Sequence, residues 1–103
     1  MNDADLGEQY ERELARVVER VRTMPLTKLA TCSNQLFELC GAFAEFAHES
    51  GSGLPGAQSL PRLGDHALPD QLQVLGDELA AVGNPIALER AYKLLVDMRK
   101  ALP

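Results

Sequence analysis

The sequence predicts an all-α fold, a small four-helix bundle made of two helical hairpins joined by a long Gly/Pro-rich loop. Three observations carry this reading. Apolar residues recur at steps of three and four in four separate segments, which is the helical period. Residues 50–64, SGSGLPGAQSLPRLG, hold four Gly and two Pro, enough to stop any helix. No run of alternating or β-branched residues bounded by turns competes with these patterns. With 103 residues, 46% of them hydrophobic, the chain fits one helical domain, 1–103, because a second would lack a core.

The first helix is expected over about residues 5–24, where Leu6, Tyr10, Leu14, Val17, Val21 and Met24 form a stripe. Asp3 or Asp5 can cap its start, and Pro25 ends it by disfavouring helical geometry at Met24. The second is expected over 27–49, with Leu29, Cys32, Leu36, Cys40, Phe43 and Ala47 at helical spacing. So short a break between them predicts a tight corner or antiparallel turn, and hence a hairpin. Leu54, Leu60 and Leu63 recur along the 50–64 loop, which reads as a connection that crosses the bundle on apolar anchors. The third helix is expected over 66–82, with Pro69 in its first turn and Leu68, Leu72, Leu75, Leu79 and Val82 on one face. Gly83-Asn84-Pro85 then supplies a glycine past a helix end, an asparagine cap and a proline at the next first position. The fourth helix follows over 85–102 with Leu88, Ala91, Leu95, Met98 and Leu102.

The width of each apolar face ranks the helices. At about 100° per residue, the second carries an apolar arc of about 200° and should be central, packed on two or three neighbours. The third confines its leucines to about 80° and should be peripheral; Gly76 within it is either tolerated or admits a neighbouring backbone. On the fourth helix, Leu88, Tyr92 and Val96 widen the arc to about 220°, beyond what its core stripe uses. Together with Arg99 they combine aliphatic, aromatic and Arg residues as protein interfaces do, and they are the leading interface candidates. The competing use of that strip is burial under the loop through Leu54 or Leu60.

Charge narrows the partner classes. Ten Lys and Arg face fifteen Asp and Glu, a net charge of −5, with a pI near 4.9. Nucleic-acid affinity comes largely from neutralising phosphates, so an acidic domain starts at a disadvantage. Arg12, Arg16 and Arg20 do line one edge of the first helix at i, i+4 and i+8, as a phosphate-reading stripe would. Glu8, Glu13 and Glu19 border them, and a solvated, charge-laced face is the favoured reading. No apolar run approaches the roughly 18 residues of a membrane span, and the acidic start Met1-Asn2-Asp3-Ala4-Asp5 lacks the basic, apolar order of a secretion signal. A cytoplasmic location is the expectation.

Candidate chemistry is sparse. Asp65-His66 and Asp70-Gln71 form the densest polar cluster, and His66 and Asp70 stand four apart, the spacing at which a carboxylate orients an imidazole. A helix-capping role for these acids is the plainer reading. Cys32 and Cys40 lie eight apart on one helix, about 12 Å of rise, too far for a disulfide within one chain. They read as small core residues. No CxxC or HxxxH offers a metal site, and neither GxSxG nor a Walker loop offers a nucleophile or phosphate cradle.

The function expected from these residues is non-catalytic and without cofactor: protein contact, with itself or another helical protein, as homo-oligomer, adaptor or regulatory subunit. The alternative is a small apolar ligand held between helices by Cys32, Cys40, Phe37, Phe43 and Met98, which requires an enclosed cavity of several hundred Å3.

Overall fold

The computed structural model describes residues 3–103. Among these it is a bundle of four helices with no strand: α1 (Asp3–Arg22), α2 (Leu26–Glu49), α3 (Leu68–Val82) and α4 (Pro85–Ala101). Two short 3-10 turns, Ala57–Ser59 and Asp65–Ala67, interrupt the connection between α2 and α3. The side chain of Asp3, one of the two expected caps of α1, lies outside the described residues, and Asp5 falls inside the helix.

Local chemistry sets the helix ends. α1 stops at Arg22, two residues short of the expected end, and the Met24 N–H closes a turn onto Val21 O at 3.2 Å. Pro25, extended at φ −58 and ψ 145, precedes α2 and offers no side-chain cap. Between α3 and α4 the three-residue signal reads out in full. Gly83 adopts φ 72 and its N–H bonds Leu79 O at 3.0 Å. Asn84 Oδ1 accepts from the Ile86 and Ala87 N–H groups at 3.0 and 3.1 Å. A left-handed glycine satisfies the outgoing carbonyls and an asparagine the incoming amides.

The helices run up, down, down, up. Tyr10 meets Gly76 and Arg22 meets Asp70, so α1 opposes α3. Glu13 meets Arg99 and Arg20 reaches Leu102, so α1 runs with α4. Phe46 lies under Arg90, while Gln35 and Ala101 share one surface, so α2 opposes α4. Contact passes around the bundle in the order α1, α4, α2, α3 and back to α1. The most extensive interfaces are therefore α1 with α4 and α2 with α3, not the helices joined by the short turns. α1 and α2 take opposite corners despite the three-residue break between them.

A parallel pair needs a connection that returns along the bundle. Residues 50–64 do so, lying back along α2, with Leu54 and Leu60 sharing a groove with Ala44 and Leu75 and not with the Leu88, Tyr92 and Val96 strip of α4. Leu54 sits beside His48, Ala57 beside Glu45 and Gly41, and Arg62 beside Phe37 and Asn34. We call this segment the crossover.

The core takes residues from every helix. Tyr10, Val17, Leu36, Cys40, Phe43, Leu68, Leu72, Leu79 and Leu95 are almost wholly buried. Gly76 sits where α3 meets α1. A Cβ there would lie 2.5 and 2.7 Å from the Leu14 Cδ atoms, and the Tyr10 hydroxyl donates to Gly76 O at 2.7 Å. The glycine thus admits a close helix approach, at a helix-propensity cost of about 1 kcal/mol.

Gly76→Ala should therefore lower stability by about 1–2 kcal/mol net of propensity, although alanine is the better helix former. Leu14→Ala alone should cost about 2–5 kcal/mol. Combined, the two should cost less than their sum by about 1–2 kcal/mol, because the shortened side chain makes room for the new methyl. Urea unfolding of the four proteins measures this; strict additivity would show that the approach is not the constraint.

Candidate functional site

The crossover is tied down along its length by bonds of complementary kinds. His48 Nδ1–H donates to Leu54 O at 3.0 Å, and Ser52 Oγ accepts from Leu54 N–H at 3.1 Å. Glu45 Oε2 accepts from Ala57 N–H at 3.0 Å. The Arg62 guanidinium lies 4.7 Å over the Phe37 ring, donates to Asn34 Oδ1 at 3.2 Å, and approaches Asp65 at 3.7 Å. Gln71 Nε2 on α3 donates to Pro61 O at 3.0 Å. A long connection thereby becomes a fixed wall.

Between this wall and α3 lies an open groove of about 480 Å3. Ala44 and Leu75 contribute from α2 and α3, Leu54 and Leu60 from the crossover. At its edges Leu63 is 48% exposed and Val74 64% exposed, two large apolar side chains turned to water. Asp70 is the one charged residue of the lining, and it faces Arg22 at 3.3 Å. Gln71 Oε1 is buried in the same lining and has no hydrogen-bond partner among the described residues.

The fourth-helix strip has a different fate. Leu88 is buried, Tyr92 and Val96 are half-buried, and Tyr92 packs against the core cluster. Arg99 turns to α1, where its guanidinium bonds the Glu13 carboxylate. Leu88 and Tyr92 thus join the common core, and Arg99 ties this flank of α4 to α1.

The polar cluster is not assembled. Asp65 and His66 fall in the 3-10 turn ahead of α3, Asp65 near Arg62 and His66 exposed, while Asp70 faces Arg22. Neither that turn nor α3 has a side-chain cap, so the capping role is also unfilled, although Asp70 does sit in the favourable first turn of α3. The arginine stripe is broken up as well. Arg12 is exposed, Arg16 pairs with Glu13 at 3.4 Å, and Arg20 Nη2 donates to Leu102 O and Pro103 O at 3.4 and 2.7 Å.

Glu13 was expected on a solvated face and is instead 3% exposed between Arg16 and Arg99. Nothing local distinguishes it from Glu8 or Glu19; its burial follows from α4 crossing that flank. Its two arginines supply the pairing that a buried carboxylate requires.

The chain matches no protein-family model, no curated protein and no solved structure.

Among the described residues no group of His, Cys, Asp and Glu is placed to hold a metal ion. Cys32 and Cys40 are free and buried. Cys40 and Phe43 are wholly buried in the packed core, and none of Cys32, Cys40, Phe37, Phe43 and Met98 lines the concavity of about 480 Å3 at the crossover. Burial pushes the Cys40 thiol up from 9.0 to about 12, the nearby Arg62 charge opposing it only in part. Burial likewise raises Cys32, helped by Asp65, and Tyr10, helped by Asp77 and Glu11. Thiols held protonated are poor nucleophiles.

These raised values make the fold alkali-sensitive. Below pH 9.0 Cys40 is protonated in both the folded and unfolded chain, and its contribution is fully present. From 9.0 to about 12 the unfolded chain releases a proton that the folded chain retains, so stability falls as pH rises. Urea midpoints taken across this range should fall for the wild type and fall less steeply for Cys40→Ala. Equal slopes would contradict the burial of this thiol.

Proposed function

We propose that this protein works without catalysis, by protein contact, as an adaptor or regulatory subunit that holds an apolar segment of a partner in the groove between the crossover and α3. The observation that carries this reading is the pair Leu63 and Val74, 48% and 64% exposed in one mostly apolar lining. Large aliphatic side chains exposed around one concavity mark a surface meant to be covered. The buried, unpartnered Gln71 oxygen would take an N–H from an occupant whose arrival shifts that side chain.

A different protein suits the groove better than a second copy. Self-association would bring together two chains that each carry a net charge of −5. No helix among the described residues is long and apolar enough to cross a membrane, and two free thiols fit a reducing compartment, which favours the cytoplasm as the place of action. A second reading, a small apolar ligand, draws on the same volume, since about 480 Å3 lies within the size range of small-molecule sites.

The test is affinity capture from the native host with wild type, Val74→Asp and Tyr92→Glu, followed by binding of the purified captured protein. Val74 is exposed, so its substitution should change stability by no more than about 0.5 kcal/mol. The expected result is a partner lost with Val74→Asp, kept with Tyr92→Glu, and bound in purified form at least tenfold more weakly by Val74→Asp, or about 1.4 kcal/mol. A partner indifferent to Val74 would overturn the groove as the contact site. A small molecule retained in native mass spectra of wild type and lost in Val74→Asp would favour the second reading.

A further inference from the structure

The seam between α2 and α4, on another side of the bundle, is a second and chemically different surface. It is the least extensive of the four lateral interfaces, and it opens into a groove of about 310 Å3. Its floor is Leu39 and Ala42 from α2 with Leu94 and Met98 from α4. Glu38 stands on the α2 wall and Asp97 on the α4 wall, both exposed. Neither carboxylate forms an ion pair with any described residue. They are the only charged residues of the groove's lining, and both are acidic.

We propose that this seam docks an amphipathic α-helix of a partner protein, with apolar residues at i, i+3, i+4 and i+7 and Lys or Arg on both flanks. Each part of that description answers a feature of the seam. A channel between two antiparallel helices takes a third helix as ridge into groove. An all-helical surface offers no strand edge to which an extended peptide could add. Gln35 to Ala42 and Leu94 to Ala101 each span about two turns, which sets the length of the apolar stripe. One free carboxylate on each wall asks for a cation on each flank, and the chain's net charge of −5 draws a basic partner toward it. Met98 gives the floor a flexible, polarizable side chain that adapts to the residues laid on it. The proposal shares with the preceding one the premise of protein contact, and it uses none of the crossover residues.

The probe is a fluorescein-labelled helical peptide of leucine and lysine, with leucines at i, i+3, i+4 and i+7, titrated at low salt by anisotropy and by amide chemical shifts. The expected result is saturable binding, with shifts centred on residues 35–42 and 94–101. Glu38→Lys combined with Asp97→Lys should weaken binding about tenfold, because two exposed attractions become repulsions. Glu11→Lys combined with Glu19→Lys makes the same change in net charge on exposed α1 positions and should leave binding within about twofold. A leucine and glutamate analogue should not bind the wild type and should bind the Glu38→Lys/Asp97→Lys protein. Absence of saturable binding, or equal losses in both charge-reversed proteins, overturns the proposal. Shifts centred on Leu63 and Val74, abolished by Val74→Asp, would overturn it while supporting the crossover groove.

Discussion

Much of this structure follows from the path of the crossover. Because α2 and α3 run in the same direction, the connection must travel back along α2 before α3 can begin. Between Leu54, beside His48, and Arg62, beside Ser33 and Asn34, eight residues of chain cover about fifteen residues of helix. That is about 22 Å of helical rise, supplied by chain that runs along α2 on either side of the Ala57–Ser59 3-10 turn and by the reach of the Arg62 side chain. The 3-10 turn closes its own bonds, Ser59 N–H to Gly56 O and Leu60 N–H to Ala57 O, and α2 and α3 partner other groups of the strap: Glu45 accepts from Ala57 N–H, His48 donates to Leu54 O and Gln71 donates to Pro61 O. The groove exists because this strap stands off α3 at one edge and is bonded to α2 at the other.

What the sequence disclosed is what local chemistry decides. The four helices and their apolar faces were legible from spacing, and the α3–α4 turn was legible to the residue, because Gly83, Asn84 and Pro85 act on their own backbone and the next few amides. What it withheld is non-local. The break at Pro25 suggested that α1 and α2 pack as a hairpin, but a corner constrains only the chain there, and the wide interfaces went to α1 with α4 and α2 with α3. Glu13 and Arg99 stand 86 positions apart, so no periodicity could reveal their pairing. His66 and Asp70 had the right spacing for a helix and missed each other because the chain enters α3 through a 3-10 turn.

The apolar surplus on α4 shows how a correct observation can point to a different consequence. Leu88, Tyr92 and Val96 were more than a core stripe needs, and the fold takes Leu88 and Tyr92 into the common core, leaves Val96 half-buried and turns Arg99 to Glu13 on α1. Large exposed apolar side chains stand instead at the edge of the crossover, at Leu63 and Val74, while the α2–α4 seam offers a shallow groove over mostly buried Leu39 and Met98. The two differ in chemistry. The first is nearly uncharged, its Asp70 engaged by Arg22, whereas the second carries two unpaired carboxylates. A protein that meets partners at both could discriminate between them by charge alone, because an uncharged aliphatic segment and a basic amphipathic helix each suit only one.

The account depends most on the crossover lying fixed along α2, and solution NMR measures that directly. Proton–proton contacts should appear between the Ala57 methyl and Gly41, between Arg62 and the Phe37 ring, and between Leu54 and His48, and the Ala57 amide should exchange slowly with solvent. Missing contacts at these three points, together with exchange at Ala57 as fast as in an unstructured chain, would show that the strap is free and that the groove it walls does not persist.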